Sequence, residues 1–168
     1  MTTLFAQPYD IAACGFYFES FEDYQQIAAK SINRYGEPVE EFEIQFIDGE
    51  DLNCALAGAW NLSQANISSY FEAVEDWDDT DKIKAIIALD ELGLTLDHIA
   101  DDPDRMDIQI SQIKDMRGLA IEFVDEGLMG RIPEHLKTYL DYDAIARDLE
   151  MDYSETEIAG ETYIYRAD

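Results

Sequence analysis

An α+β chain in three small parts is what the sequence predicts, and three observations predict it. Apolar residues alternate with acids in the first third, recur at helical spacing in the middle, and return to a mixture of both periods after Pro103. The implied domains are 1–60, a small N-terminal α+β domain; 61–103, a central helical domain; and 104–168, a C-terminal α+β domain. At 47% hydrophobic and 12% aromatic, the 168 residues can fill a core, and the composition is far from that of a disordered acidic tail. No repeat, low-complexity tract or Pro/Gly/Ser-rich linker separates the parts, so they should abut.

In the first part, Leu4–Tyr9 and Cys14–Phe18 are short strand candidates. Ser20 with Asp23 three residues on is a helix start, and Tyr24, Ile27, Ala28 and Tyr35 share one helical face until Gly36 and Pro38 end it. Phe42, Ile44 and Phe46 alternate with Glu41, Glu43 and Gln45, the period of a half-buried strand, and Asp48-Gly49 supplies a turn. A small antiparallel sheet with one helix is expected.

The second part reads as wholly helical. Ile67, Tyr70, Phe71 and Val74 form an apolar stripe, with Glu72, Glu75, Asp76 and Asp79 at the same spacing on nearly the opposite face. The like-charge neighbours 72/75, 72/76, 75/79 and 76/79 should each cost the helix about 0.2–0.5 kcal/mol. A second helix, from Asp81 to Leu92, is apolar nearly all round through Ile83, Ile86, Ile87 and Leu89, and Gly93 stops it.

In the third part, Ile108 and Ile110 alternate with polar residues as a strand. Leu119, Ala120, Phe123 and Val124 mark a helix ending near Gly127. Asp141 can cap a helix through Tyr142, Ile145, Ala146 and Leu149, and Thr162–Tyr165 can close the sheet.

Charge is the main functional datum. There are 38 acids against 11 bases, a formal net charge of −27. Residues 1–60 and 61–103 each hold 11 acids and 2 bases, and residues 104–168 hold 16 and 7, so every part carries −9. The acidity is not a tail; the whole surface presents one sign of field, at a cost in self-repulsion. Direct binding of nucleic acid or an anionic membrane is excluded as a class, because phosphate needs clustered Lys and Arg; the partner should be basic. The first cation is Lys30, and the apolar stretch from Leu4 to Phe18 is broken by Pro8, Asp10 and Gly15, so neither a secretory leader nor a membrane span is expected and the chain should be cytoplasmic. Cys14 and Cys54, forty positions apart, suit two buried free thiols in a reducing compartment.

Catalytic and metal chemistry leave no pattern. A calcium loop read from Asp102 has Met106, Asp107 and Ile113 where its fifth, sixth and twelfth positions need a ligand, Gly and Glu. His98 and His135 stand without zinc spacing. No carboxylate pair is marked out for hydrolysis, and there is no nucleophile elbow, phosphate loop or dinucleotide fingerprint. Gly127-Leu-Met-Gly130, the GxxG spacing of an RNA-binding loop, follows Asp125-Glu126 and reads as a helix stop. No metal, cofactor or catalytic residue is expected.

Three uses of the acidity remain open: salt tolerance in a halophile-type cytosolic protein, an enzyme or small-ligand protein in which it is incidental, and mimicry of a polyanion. For the last, −27 equals the backbone charge of about 46 Å of duplex DNA, close to the ~40 Å span of a compact chain of this length. Acids once per helical turn, roughly every 5.4 Å, are spaced on the scale of phosphates.

The segment Arg131–Glu150 resembles a Pro-x-x-Leu-x-x-Tyr, Asp-Tyr, Arg-Asp-Leu pattern of the ArdA antirestriction family at Pro133, Leu136, Tyr139, Leu140, Asp141, Tyr142, Arg147, Asp148 and Leu149. Glu40–Glu50 is similar to the strand that ends the family's first domain. The chain departs from the family at Ala12–Phe18, where members have a Gly- and Trp-rich hairpin, and it lacks the Gly pair after Arg-Asp-Leu.

The resemblance implies an elongated three-domain protomer, non-enzymatic, that dimerises into a mimic of bent B-form DNA. Such a dimer occupies the DNA-binding groove of type I restriction-modification enzymes, on their methyltransferase core. The acidic surface would comprise Glu40, Glu41, Glu43, Glu72, Glu75, Asp76, Asp79, Asp101, Asp102, Asp104, Asp125, Glu126, Asp143 and Glu150. The homodimer contact would fall in Leu128–Tyr142, with Leu128, Met129, Ile132, Pro133, Leu136, Tyr139 and Tyr142 as candidates; core packing is the competing role for Leu136 and Tyr139.

Overall fold

A computed structural model describes residues 1–99 and 106–167. The chain is mixed α and β and divides into two compact units, Met1–Met106 and Asp107–Asp168, each with one three-stranded antiparallel sheet.

In the first unit, β1 (Thr3–Pro8) is central, between β2 (Phe16–Phe18) and β3 (Phe42–Asp48). Leu4 and Ala6 are fully buried on its inner face, and the register sets them opposite Phe18 and Phe16 on one side and Phe46 and Ile44 on the other. Gly15 admits β2 to this position: a Cβ there would lie 2.4 Å from the Phe5 ring and 2.7 Å from the Ala6 carbonyl oxygen. Helix α1 (Phe21–Ala28) starts as expected, with the Ser20 hydroxyl accepting the Asp23 N–H at 3.1 Å, and buries Tyr24 among Phe16, Phe18 and Phe42.

This helix ends at Ala28, so Tyr35 is not on its face but exposed in the loop that follows. Asn33 is the cause. Its Oδ1 accepts the N–H groups of Tyr35 at 2.9 Å and Glu37 at 3.0 Å, offering the backbone a turn in place of a helix.

Three helices complete the apolar side. They are α2 (Asp51–Trp60), α3 (Ile67–Asp76) and α4 (Asp79–Ile86), the last running into a π-helical turn, Ile87–Glu91. The expected stripe of α3 faces inward, with Ile67, Tyr70 and Phe71 buried and Phe71 edge-on to Phe18. Ile83, Ile86 and Ile87 are buried as expected. The helix over 81–92 is nonetheless not uniform, since its last turn widens to the π form before Gly93, at φ +66°, stops it. A single turn, α5 (Leu96–Ile99), follows.

The thiols are corrected: Cys14 and Cys54 are free, but both are exposed. Cys54 sits on the outer side of α2, whose inner side is set by Asn53, Leu56, Ala57 and Trp60, and Cys14 lies in the loop before β2.

In the second unit, β6 (Glu161–Ala167) is central between β4 (Ile108–Ser111) and β5 (Ser154–Ile158). The β5–β6 hairpin turns through Ala159 and Gly160, at φ +52° and +81°. Helices α6 (Met116–Asp125) and α8 (Tyr142–Leu149) pack on the sheet, with one turn, α7 (Glu134–Lys137), between them in sequence. The core joins Met116, Leu119, Ala120, Ala146, Leu149 and Ile164, with Tyr142, Ile145 and Phe123 packed against it. Both helices start on aspartates: Asp115 accepts the Gly118 N–H at 2.7 Å and Asp141 the Ala144 N–H at 3.0 Å. No helix among the described residues is long and apolar enough to cross a membrane.

Candidate functional site

The acidic surface begins on β3. Alternation turns Phe42 and Ile44 inward, which leaves Glu41 and Glu43 exposed beside Glu40. One amide fixes this run. Gln64 accepts the Phe42 N–H at 2.8 Å and donates to the Glu40 carbonyl at 2.9 Å and the Tyr24 hydroxyl at 2.8 Å. The backbone under three carboxylates is therefore pinned while the carboxylates face solvent.

On the helices, Glu72, Glu75, Asp76 and Asp79 are all exposed, but they do not share one helix. Trp77 is extended, at ψ 141°, and Asp78 caps a new helix by accepting the Asp81 N–H at 2.9 Å. The 72/75 and 72/76 pairs keep their helical spacing. The expected 75/79 and 76/79 helical pairs are not formed, because Trp77 packs against Trp60 and interrupts the backbone. This break changes the electrostatics of the cluster. Asp79 and Asp81 now lie in the first turn of α4, where the helix dipole favours anions, whereas Asp76 closes α3 at the end that disfavours them.

In the second unit, Asp125, Glu126, Asp143 and Glu150 are exposed, but two of them are engaged. Lys137 Nζ lies 2.8 Å from Asp125 and 3.0 Å from Glu134, and these hydrogen bonds, Asp125 foremost, hold its ammonium pKa above the ordinary lysine value. Arg117 pairs with Asp143 at 3.1 Å, with its guanidinium 5.9 Å from the Tyr142 ring centroid. The carboxylate partners in all three pairs are exposed, so the pairs contribute little to stability. Their effect is to reduce the outward field around α6 and α8. Asp101, Asp102 and Asp104 lie outside the described residues.

The candidate contact segment is apolar and outward-facing. Leu128, Met129, Leu136 and Tyr139 are exposed, Tyr139 by 85%, Pro133 is exposed, and Ile132 is half-buried. Neither Leu136 nor Tyr139 belongs to the buried cluster of their unit. Tyr142 is the exception, half-buried against that core. Beside this segment an open depression of about 440 Å³ is lined by Asp125, Glu126, Arg131, Ile132 and Lys137, with charges of both signs.

Three polar groups carry structural weight that sequence reasoning missed: Gln64, Asn33 and Lys82. Lys82 is 5% exposed and lines a cavity of about 390 Å³ with Glu19, Glu50 and Glu75, so a cation stands inside an acidic rim. In sequence Lys82 sits among Asp79, Asp81 and Lys84 of the same helix, and its position four residues before Ile86, on the buried side, was its one distinguishing mark. Among the described residues no three His, Cys, Asp or Glu side chains are grouped to hold a metal ion. His98 Nδ1 lies 2.8 Å from the Thr95 hydroxyl.

The family model described as Antirestriction protein (ArdA) matches residues 14–164. No curated protein matches the chain.

Proposed function

The chain belongs to the ArdA antirestriction protein family, and from that premise we propose that it acts as an acidic mimic of B-form DNA. As such it occupies the DNA-binding groove of type I restriction-modification enzymes, on the methyltransferase core. The observation that carries this reading is the even distribution of exposed carboxylate. By sequence, residues 1–106 hold 23 acids against 5 bases and residues 107–168 hold 15 against 6, and every described carboxylate of the candidate surface is exposed. Multiple carboxylates answering the enzyme's Lys and Arg as phosphates do would block it without any DNA sequence, because phosphate contacts carry none.

In this reading the protein is not an enzyme and works in the cytoplasm, where its target is. The protomer is an elongated one of three domains, 1–60, 61–103 and 104–168, the first two falling within the unit Met1–Met106. It pairs with a second copy through the segment Leu128–Tyr142. Leu128, Met129, Leu136 and Tyr139 support that pairing, since four exposed large apolar side chains in one segment lose their hydration cost when a partner covers them.

Competition tests the proposal. Purified protein should displace duplex DNA from a type I methyltransferase core, with affinity falling steeply as salt rises. If the methyltransferase binds DNA unchanged in excess protein at low salt, the reading is wrong. Small-angle scattering on the same sample should show a rod-like dimer, which Leu136→Asp together with Tyr139→Asp converts to monomer.

A further inference from the structure

The described surface of the first unit is strongly acidic, yet it carries an apolar point that nothing in charge mimicry requires. Ile11 is fully exposed, and Tyr9, Ile32 and Tyr35 are each exposed by more than half. They come from two loops, residues 9–13 and 31–39, far apart in sequence and tied together. Arg34 N–H donates to the Ala12 carbonyl at 3.0 Å, and the Asn33 side chain, buried at 7% exposure, donates to Asp10 at 2.9 Å. The tip itself is a closed turn: Ala12 N–H donates to Asp10 Oδ1 at 2.8 Å and Ala13 N–H to the Asp10 carbonyl at 3.0 Å. Tyr35 is held by Arg34, whose guanidinium reaches its hydroxyl at 2.6 Å and lies 4.8 Å from its ring centroid.

An exposed isoleucine on a floppy loop would cost little and signify little. Here the loop is fixed by side-chain hydrogen bonds, so much of the ordering entropy of a contact is already spent in the free protein. Aromatic side chains with an apolar neighbour in a rigid setting are what interface hot spots are made of. DNA phosphates, by contrast, offer no such group.

We propose that these two loops form a preorganised apolar anchor, with Ile11 and Tyr35 as its points, which seats in an apolar depression on a protein surface rimmed by Lys and Arg. This rests on the reading that the target is a DNA-binding enzyme. Charge complementarity selects that occupant: the anchor is flanked by Asp10, Glu37, Glu40 and Glu41, and Tyr9, Asp10, Glu40 and Glu41 line one shallow depression with Pro38 and Val39. The Asn33 hydrogen bond holds the Asp10 carboxyl below the ordinary carboxylate range. The anchor adds a part of the affinity that salt does not screen, and it lets the protein outcompete DNA where carboxylates alone only equal phosphates.

The test is the salt dependence of binding to a type I methyltransferase core, comparing wild-type protein with Ile11→Ser/Tyr35→Ser and with Met151→Ser, an exposed apolar side chain of the other unit, as control. The double variant should bind about tenfold more weakly at every salt concentration, with the same slope of log affinity against log salt, while the control and all melting temperatures stay at wild-type values. Equal affinity of wild type and double variant overturns the anchor and leaves the mimicry standing. A wild-type protein that does not bind the enzyme removes both. A shift of the double variant toward monomer in sedimentation assigns the loops to a second copy instead and overturns the proposed partner.

Discussion

Trp77 packs edge-on against Trp60, ring centroids 5.7 Å apart at 63°, at the point where α3 gives way to α4. Trp60 is buried and itself meets Tyr70 edge-on, so the contact ties the helix break to the core. Without it, the chain from Glu72 to Asp79 would be free to continue as one helix with four uncompensated acids on a face.

Trp77→Ala should therefore destabilise the first unit by about 2–3 kcal/mol, less than full burial of a tryptophan would cost because Trp77 is only half-buried. These are the only two tryptophans in the chain. Their coupled near-ultraviolet circular dichroism should vanish in the variant while the tyrosine bands persist; retention of the band would show that the rings do not interact.

The Asn33 and Asp10 pair predicts an acid dependence. The Asn33 hydrogen bond lowers the Asp10 pKa, so its stabilisation is fully present above the ordinary carboxylate range and is lost as pH falls through the lower folded value. Urea melts of wild type and Asp10→Asn should differ at neutral pH and converge below the folded pKa. A constant difference across that window would break the link. Asn33→Ala, which removes the acceptor of two part-buried N–H groups and the donor to Asp10, should cost about 1–2 kcal/mol.

At the alkaline end, burial raises the Tyr70 pKa well beyond the usual phenol range, and it raises that of Tyr24 as well. A phenol that stays neutral when folded but ionises when unfolded gives stability that is intact below the ordinary tyrosine value near ~10 and falls as pH rises above it. In a spectrophotometric titration, Tyr70 should ionise only with unfolding. Tyr70→Phe should flatten the alkaline limb, while costing about 1 kcal/mol at neutral pH through loss of the 2.9 Å bond to the Asn53 carbonyl.

If function resides in the summed field, single amides at Glu72, Glu75, Asp76 or Asp79 should each change affinity for the restriction enzyme by about 0–1 kcal/mol. Changing all four should weaken it far more, and moderate salt should raise the melting temperature by screening the self-repulsion of a −27 chain. One amide substitution that abolishes inhibition in a folded protein would point to a catalytic carboxylate instead.

Much of what depends on a residue and its near neighbours was legible in the sequence, though helix α2 (Asp51–Trp60) was not read. Alternation placed β3 and its outward glutamates, the 67/70/71 stripe placed the inner face of α3, and Ser20 and Asp141 marked their helix starts, because periodicity and capping are local. Net charge is likewise a sum over residues, so the acidic surface could be read before any fold was known. The β5–β6 hairpin was half missed, its acid-rich first strand, Ser154–Ile158, lacking the apolar alternation that marks β3.

What tertiary structure alone decided are the outcomes of competition between distant groups. Residues 29–35 leave the helix because Asn33 finds backbone donors and Asp10. The acidic face splits because Trp77 finds Trp60. Cys54 is exposed because its neighbours Asn53, Leu56 and Ala57 take the inner side of α2. Which carboxylates remain free to meet a partner is set the same way: Lys137 reaches back twelve residues to Asp125, and Arg117 pairs with Asp143 across two helices. Coulomb attraction and packing act through space, and only the folded chain states which residues are near.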